Sequence, residues 1–226
     1  MEDGIPSFWD PVTSTIDGCE KNYACFLALF GLINTLRQRF GKRFSFLHIS
    51  NMALAIGNML YHATLQCKQQ HSDKTPMVWE MLLYLYILYS PDWHYKSTMP
   101  TFIFLYGAAF GLAHHLVGFD IGFKAHYMIL CLLCIPRMYK YYIHTQDIYA
   151  KGLAKLYLLT LLLGSLYCWY FNPQGHALWH IFMGFNSHFA NTFLMFCRAQ
   201  QLGWEPTVVG FMGVLPYVKV NKTKTQ

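Results

Sequence analysis

Apolar residues along the chain gather in long blocks divided by short polar or basic stretches. The first, Cys25–Leu36, holds only 12 residues. Six longer ones follow: Phe44–Leu65, Pro76–Ser90, Thr101–Val117, Phe123–Ile135, Leu156–Phe171 and His176–Cys197. A helix needs about 20 predominantly apolar residues to cross the hydrocarbon of a bilayer. The pattern therefore predicts an all-α, polytopic membrane protein, a seven-transmembrane-helix bundle with a shortened first helix. A polar segment over 1–24 precedes the membrane domain over 25–200, and a polar tail over 201–226 follows it. Pro76 suits a first helical turn, and Asn172-Pro173-Gln174-Gly175 reads as a tight break before the last helix.

Composition supports this picture. The 226 residues are 54% hydrophobic and 12% charged, about half the charge of an ordinary soluble domain. A soluble enzyme, a secreted disulfide scaffold and a disordered chain are all disfavoured. The net charge of +6 calls for no nucleic-acid partner, because Lys and Arg concentrate at 37–43, 136–155 and 198–224. Even numbers of crossings separate these clusters, so they share one face, and the positive-inside rule makes it cytosolic. The N-terminus and the loops at 66–75, 118–122 and 172–175 then face the lumen. Met1-Glu2-Asp3 is too acidic to open a cleavable signal, and the sequon Asn221-Lys222-Thr223 falls on the cytosolic side. Seven cysteines make no disulfide framework; Cys131 and Cys134 form a CxxC inside an apolar block and read as core filler. No inverted repeat points to a transporter.

Topology brings candidate chemistry to one level. His62 lies near the lumenal end of the second block, and His176 and His180 open the last block at the same end. The i, i+4 spacing of the latter pair puts both rings on one helix face. Three neutral imidazoles with an open fourth position make a catalytic zinc site. Ionisable groups within a membrane are expensive and mark function, although interfacial histidines bonded to backbone or water remain the alternative. Asp73, just before the third block, is placed to accept a proton or to orient a ligand. Glu80 lies a turn further in, facing a polar cavity or another helix. His114 and His115 compete as ligands but point apart on a helix, and His48, His94, His126 and His144 read as structural. Asp17, Glu20 and Asn22 offer closely spaced oxygens of the kind calcium takes, without the EF-hand spacing. A solvated N-terminal segment is the competing account.

The stretch Trp9-Asp10-Pro11-Val12-Thr13-Ser14-Thr15-Ile16-Asp17-Gly18-Cys19-Glu20-Lys21-Asn22-Tyr23 resembles the N-terminal signature of the alkaline ceramidases. Gly57–His62, Asp73–Pro76 and Gly175–His180 resemble later motifs of that family. The resemblance, running over nearly the whole chain, implies a zinc-dependent seven-helix hydrolase that cleaves the amide of ceramide or phytoceramide in the endoplasmic reticulum or Golgi membrane. It implies His62, His176 and His180 as zinc ligands, and Asp17, the Gly18 carbonyl, Glu20 and Asn22 as ligands of a calcium ion. Asp73 matches the family's aspartate beside the zinc. Asn58 stands where the family has a serine thought to stabilise the oxyanion; an amide also donates a hydrogen bond, but it is larger.

Two further departures concern length. After Ala24 the family has a helical segment whose glutamate completes the calcium site, and here Cys25 follows directly. A second segment is missing between Trp169 and Tyr170, together with the cysteine that would pair with Cys19. Two rival readings stand beside the hydrolase. One is a lipid-binding receptor of the adiponectin-receptor type, whose N-terminus lies in the cytosol. The other is an inactive splice form.

Overall fold

The structure, a computed structural model, describes residues 14–64, 70–117, 120–164 and 175–222. Side chains are described within these except at 14–23, 60–64, 70–73, 93–96, 117, 120, 121, 124 and 175–177. Among the described residues there are seven helices: α1 (Ser14–Arg37), α2 (Lys42–Thr64), α3 (Gln70–Tyr89), α4 (Trp93–Val117), α5 (Asp120–His144), α6 (Ile148–Leu162) and α7 (Gly175–Gln201). Two strands close the chain, β1 (Glu205–Phe211) and β2 (Leu215–Asn221).

The mainly helical expectation holds, with three corrections. First, α1 is 24 residues long and not shortened: it begins in the polar segment and runs through Ala24–Cys25 without a break. A helix continues wherever its backbone hydrogen bonds do, whatever the hydropathy of its side chains. Second, among the described residues no helix is long and apolar enough to cross a membrane. Length is adequate in most of them, but polar turns dilute the apolar runs. Examples are Gln70–Thr75 in α3, Lys96–Thr98 in α4 and Arg137–Lys140 in α5. Third, the polar tail folds into an antiparallel hairpin, with Glu205 opposite Asn221 and Phe211 opposite Leu215.

The chain divides into two compact units. One comprises the residues up to Cys25 together with Ser50–Cys134. Within it α3 packs on α4 at a notch where α4 has no side chain. Trp79 Nε1 donates to the Gly107 carbonyl at 3.0 Å, and a Cβ on Gly107 or Gly111 would meet the Trp79 ring. Val78, Leu82, Leu85 and Leu88 are buried, recurring at helical spacing along the inner face of α3. Tyr89 Oη donates to the Leu133 carbonyl at 2.9 Å and ties α3 to α5.

The other unit comprises Phe26–Ile49 and Ile135 onward. Its centre is α7, buried without interruption from His188 to Cys197. The α6 helix is capped by Asp147, whose Oδ1 accepts from Ala150 N at 2.7 Å, and joins α7 through Asn186. Asn186 Nδ2 donates to the Tyr157 carbonyl at 2.6 Å and to Thr160 Oγ1 at 3.2 Å. Gly31 of α1 lies directly against the buried His48 ring of α2, on ground that a Cβ would occupy.

Both α1 and α7 end in the same way. Arg39 (φ 52°) and Gly203 (φ 71°) adopt the left-handed conformation. Phe40 N then reaches Thr35 O at 3.0 Å and Arg39 N reaches Leu36 O at 3.1 Å; Trp204 N reaches Ala199 O and Gly203 N reaches Gln200 O, both at 3.0 Å. These are Schellman motifs, which satisfy carbonyls that a helix end leaves unpaired. The residues that follow the two caps meet each other, with Phe40 edge-on to Trp204 at 5.6 Å between ring centroids. At the hairpin turn Met212 (φ 51°) and Gly213 (φ 75°) are both left-handed, and Val214 N donates to Phe211 O at 3.1 Å.

Candidate metal centre

The expected zinc ligands and their neighbours sit on regular helix. His62 and Asn58 are four residues apart on α2, and His176 and His180 four apart on α7, so each pair shares a helix face. His62 and Asn58 belong to the first unit, His176 and His180 to the second. The side chains of His62, Asp73 and His176 lie outside the described ones. So do the side chains expected to bind calcium at Asp17, Glu20 and Asn22, which fall with Gly18 on the first turns of α1, and so does Cys19. The Trp169–Tyr170 junction lies wholly outside the described residues. Among the described residues no three His, Cys, Asp or Glu side chains gather into a metal site.

Two members of the expected set have described side chains. Asn58 is buried at 8% exposure within α2. His180 is half-buried, and the indole of Trp179 meets its ring edge-on, with centroids 4.8 Å apart and planes at 74°. Trp179 also reaches the place where Gly164 lacks a side chain, so the ring beside His180 is itself seated against the end of α6.

Of the two competing histidines, His114 is engaged elsewhere. His114 is buried, and its Nδ1 pairs with Thr75 Oγ1 at 3.2 Å. Its ring stacks on Phe110 at 5.7 Å and on Phe123 at 6.1 Å, and Lys74 Nζ stands 5.9 Å above Phe123. This cluster fixes the α3 turn that directly follows Asp73. His126 stacks on Tyr106 at 5.3 Å and packs against Phe110 at 5.2 Å. His144 Nδ1 bonds the Lys140 carbonyl at 2.7 Å. His48 is enclosed in the core against Gly31. Three neutral imidazoles such as those expected at His62, His176 and His180 are donors of the kind zinc takes. The side chain of His94 lies outside the described ones.

His188 escaped the sequence reading. It is buried in α7 and its Nε2 bonds the Pro216 carbonyl of β2 at 2.9 Å, which fastens the hairpin to the helix. Its spacing from His180, two turns on along one face, was a usable signal. Of the CxxC pair, Cys134 is buried with its thiol donating to Leu130 O at 3.4 Å, and Cys131 is half-buried.

Comparison with known proteins identifies the family. The ceramidase family matches residues 24–219. A protein of Arabidopsis thaliana named alkaline ceramidase is 65% identical over 256 aligned positions that cover all of both chains. Alkaline ceramidase 3 of Mus musculus is 25% identical over 256 positions, covering 93% of this chain and 94% of its own. Alkaline ceramidase YPC1 of Saccharomyces cerevisiae is 27% identical over 99 positions, covering 36% of this chain and 31% of its own. Matched by that family over residues 24–219 and by the plant relative over its whole length, the chain belongs to the alkaline ceramidase family.

Proposed function

We propose that this protein hydrolyses the amide bond of ceramide-type sphingolipids to a sphingoid base and a fatty acid, at a zinc centre held by His62, His176 and His180 within a membrane. Family membership over the whole length carries the reading. When bound, zinc supplies a Lewis acid for the amide carbonyl and acidifies a water. The chain supplies the rest. His62 would be offered from α2 and His176 and His180 from α7, and Trp179 limits the rotation of His180. Asp73 moves the proton to the leaving amine, on a helix start pinned by the Thr75–His114 pair. Asn58, one turn before His62, is the amide that would donate to the developing oxyanion.

The membrane location is supported by apolar side chains left in the open. Phe104, Leu112 and Leu116 on α4, Leu132 and Leu133 on α5, and Leu158 and Leu159 on α6 are each at least half exposed. Apolar faces on this scale mark contact with lipid or protein, and a two-chain lipid substrate needs an apolar route to the site. The orientation proposed is N-terminus lumenal and C-terminus cytosolic, in the endoplasmic reticulum or Golgi.

Asp17, the Gly18 carbonyl, Glu20 and Asn22 are proposed to hold a structural calcium ion at the start of α1. The 256 positions aligned with the plant relative exceed the 226 residues of this chain by 30. That difference supports the reading that the relative carries residues this chain lacks; their places after Ala24 and between Trp169 and Tyr170, with one calcium ligand, are proposed from the sequence resemblance.

The deciding experiment measures zinc content and ceramide hydrolysis on purified protein and on His62→Ala, His176→Ala and His180→Ala. Each variant is expected to lose bound zinc and at least 100-fold in rate, the scale typical of a lost electrostatic or acid–base element. Unchanged zinc content in all three would overturn the site. Metal loss without any hydrolysis by the parent protein would leave a zinc-binding, inactive form.

A further inference from the structure

We infer that the C-terminal hairpin is a lipid-contacting wedge whose turn, Phe211–Val214, dips into the interface of the membrane on the basic face of the protein. The inference rests on the membrane reading proposed above.

The hairpin does not hang beyond the helices; it doubles back along them. At its open end Val220 N donates to Gln38 Oε1 at 3.2 Å, and Lys222 Nζ donates to Arg39 O at 3.1 Å, both just past the end of α1. Toward the turn the partners lie higher on the helix: Phe30 faces Phe211 at 5.2 Å and meets Tyr217 edge-on at 6.0 Å. Phe30 precedes Arg37 by seven residues, about 10 Å of helix at 1.5 Å per residue. The α7 side agrees, because the Pro216 carbonyl is held by His188, ten residues before Arg198 and so roughly 15 Å back from it. The turn therefore stands level with the apolar part of α1, whose Leu29, Ile33 and Leu36 are themselves exposed.

At that level the turn presents apolar side chains outward. Met212 is 86% exposed and Val214 84%, with Phe211 partly exposed beside them, while Leu215 and Val218 on the same hairpin are buried. Met212 is also in a left-handed conformation that glycine or asparagine adopts with less strain. A bulky apolar residue there serves neither the turn nor the core; its use is outward. The charges complement a lipid surface. Lys219 and Lys222 are exposed near the open end, and Lys222 lies 4.1 Å above the Trp204 ring. That pairing of tryptophan and lysine belongs at the headgroup level, where anionic lipids attract basic side chains. Open sheet edges are not tolerated in hydrocarbon, which limits entry to the turn residues.

The test places a nitroxide on Met212→Cys, Val214→Cys, Glu205→Cys and Leu159→Cys, one at a time. Each protein is reconstituted in vesicles of phosphatidylcholine and phosphatidylserine, with the signal of the labelled parent protein subtracted. Collisions with oxygen report lipid and collisions with a nickel chelate report water. Positions 212, 214 and 159 are expected to favour oxygen several-fold, and 205 the nickel chelate. If 159 lies in lipid while 212 and 214 behave like 205, the wedge is overturned and the membrane reading stands. If 159 itself collides with nickel, the membrane reading fails and the wedge with it. Labels at 212 and 214 shielded from both reagents would mean that protein covers the turn, which also overturns the inference.

Discussion

Replacing Gly31 by alanine tests how tightly α1 and α2 are joined. In an unconstrained helix interior the exchange gains about 1 kcal/mol. At Gly31 the added Cβ falls on the His48 ring, with Nδ1 2.5 Å away and Cε1 closer. The ring is 2% exposed, so it has no open side to retreat toward. Overpacking a filled core costs about 1–3 kcal/mol, and an overlap with a whole ring belongs at the top of that range. Set against the propensity gain, Gly31→Ala is expected to lose ~2 kcal/mol. Gly152 of α6 is the internal control, because nothing lies within 4 Å of its would-be Cβ, and Gly152→Ala should gain about 1 kcal/mol. Denaturant titration of detergent-purified protein compares the two. A second measurement repeats Gly31→Ala in a His48→Ala background, where the space is open and the loss should vanish, since contacting residues are non-additive. Gly31→Ala matching Gly152→Ala in stability, or losing as much without the His48 ring as with it, would refute the reasoning.

Asp147→Ala removes the acceptor for Ala150 N and should cost ~1 kcal/mol in the same titration. Gly203→Ala forces a Cβ onto a residue at φ 71°; the expected loss is about 1–2 kcal/mol, with no clash to relieve, as nothing lies within 4 Å. Asn58→Ser shortens a buried side chain one turn from His62 and should raise ceramide hydrolysis at unchanged zinc content; equal rates would mean that the amide serves as well as the hydroxyl.

The helices were legible where apolar side chains mark them, and their true ends were not. The α3 start at Gln70 and the α1 start at Ser14 are polar, and hydropathy carries no record of backbone hydrogen bonds. The hairpin had a visible signal in Thr207-Val208-Val209 and Val218-Lys219-Val220 around Met212-Gly213, an alternating β-branched pattern about a turn, yet polarity alone made it read as a tail. At the site, the His176–His180 spacing was readable because it is local. What His114, His48 and His188 do was not, because Thr75, Gly31 and Pro216 lie between 17 and 39 positions away along the chain.

The meeting of Phe40 with Trp204 has a practical consequence for anyone editing this protein. Cutting the chain after Gln201 would take the indole away from the cap of a helix that ended over 160 residues earlier. It would also strip Lys222 from the Arg39 carbonyl and Gln38 from its amide partner. Such a truncation should loosen the far end of α1, so fluorescent or affinity fusions belong after Lys222, and a deletion of the last 25 residues should be read as damage to the body of the protein.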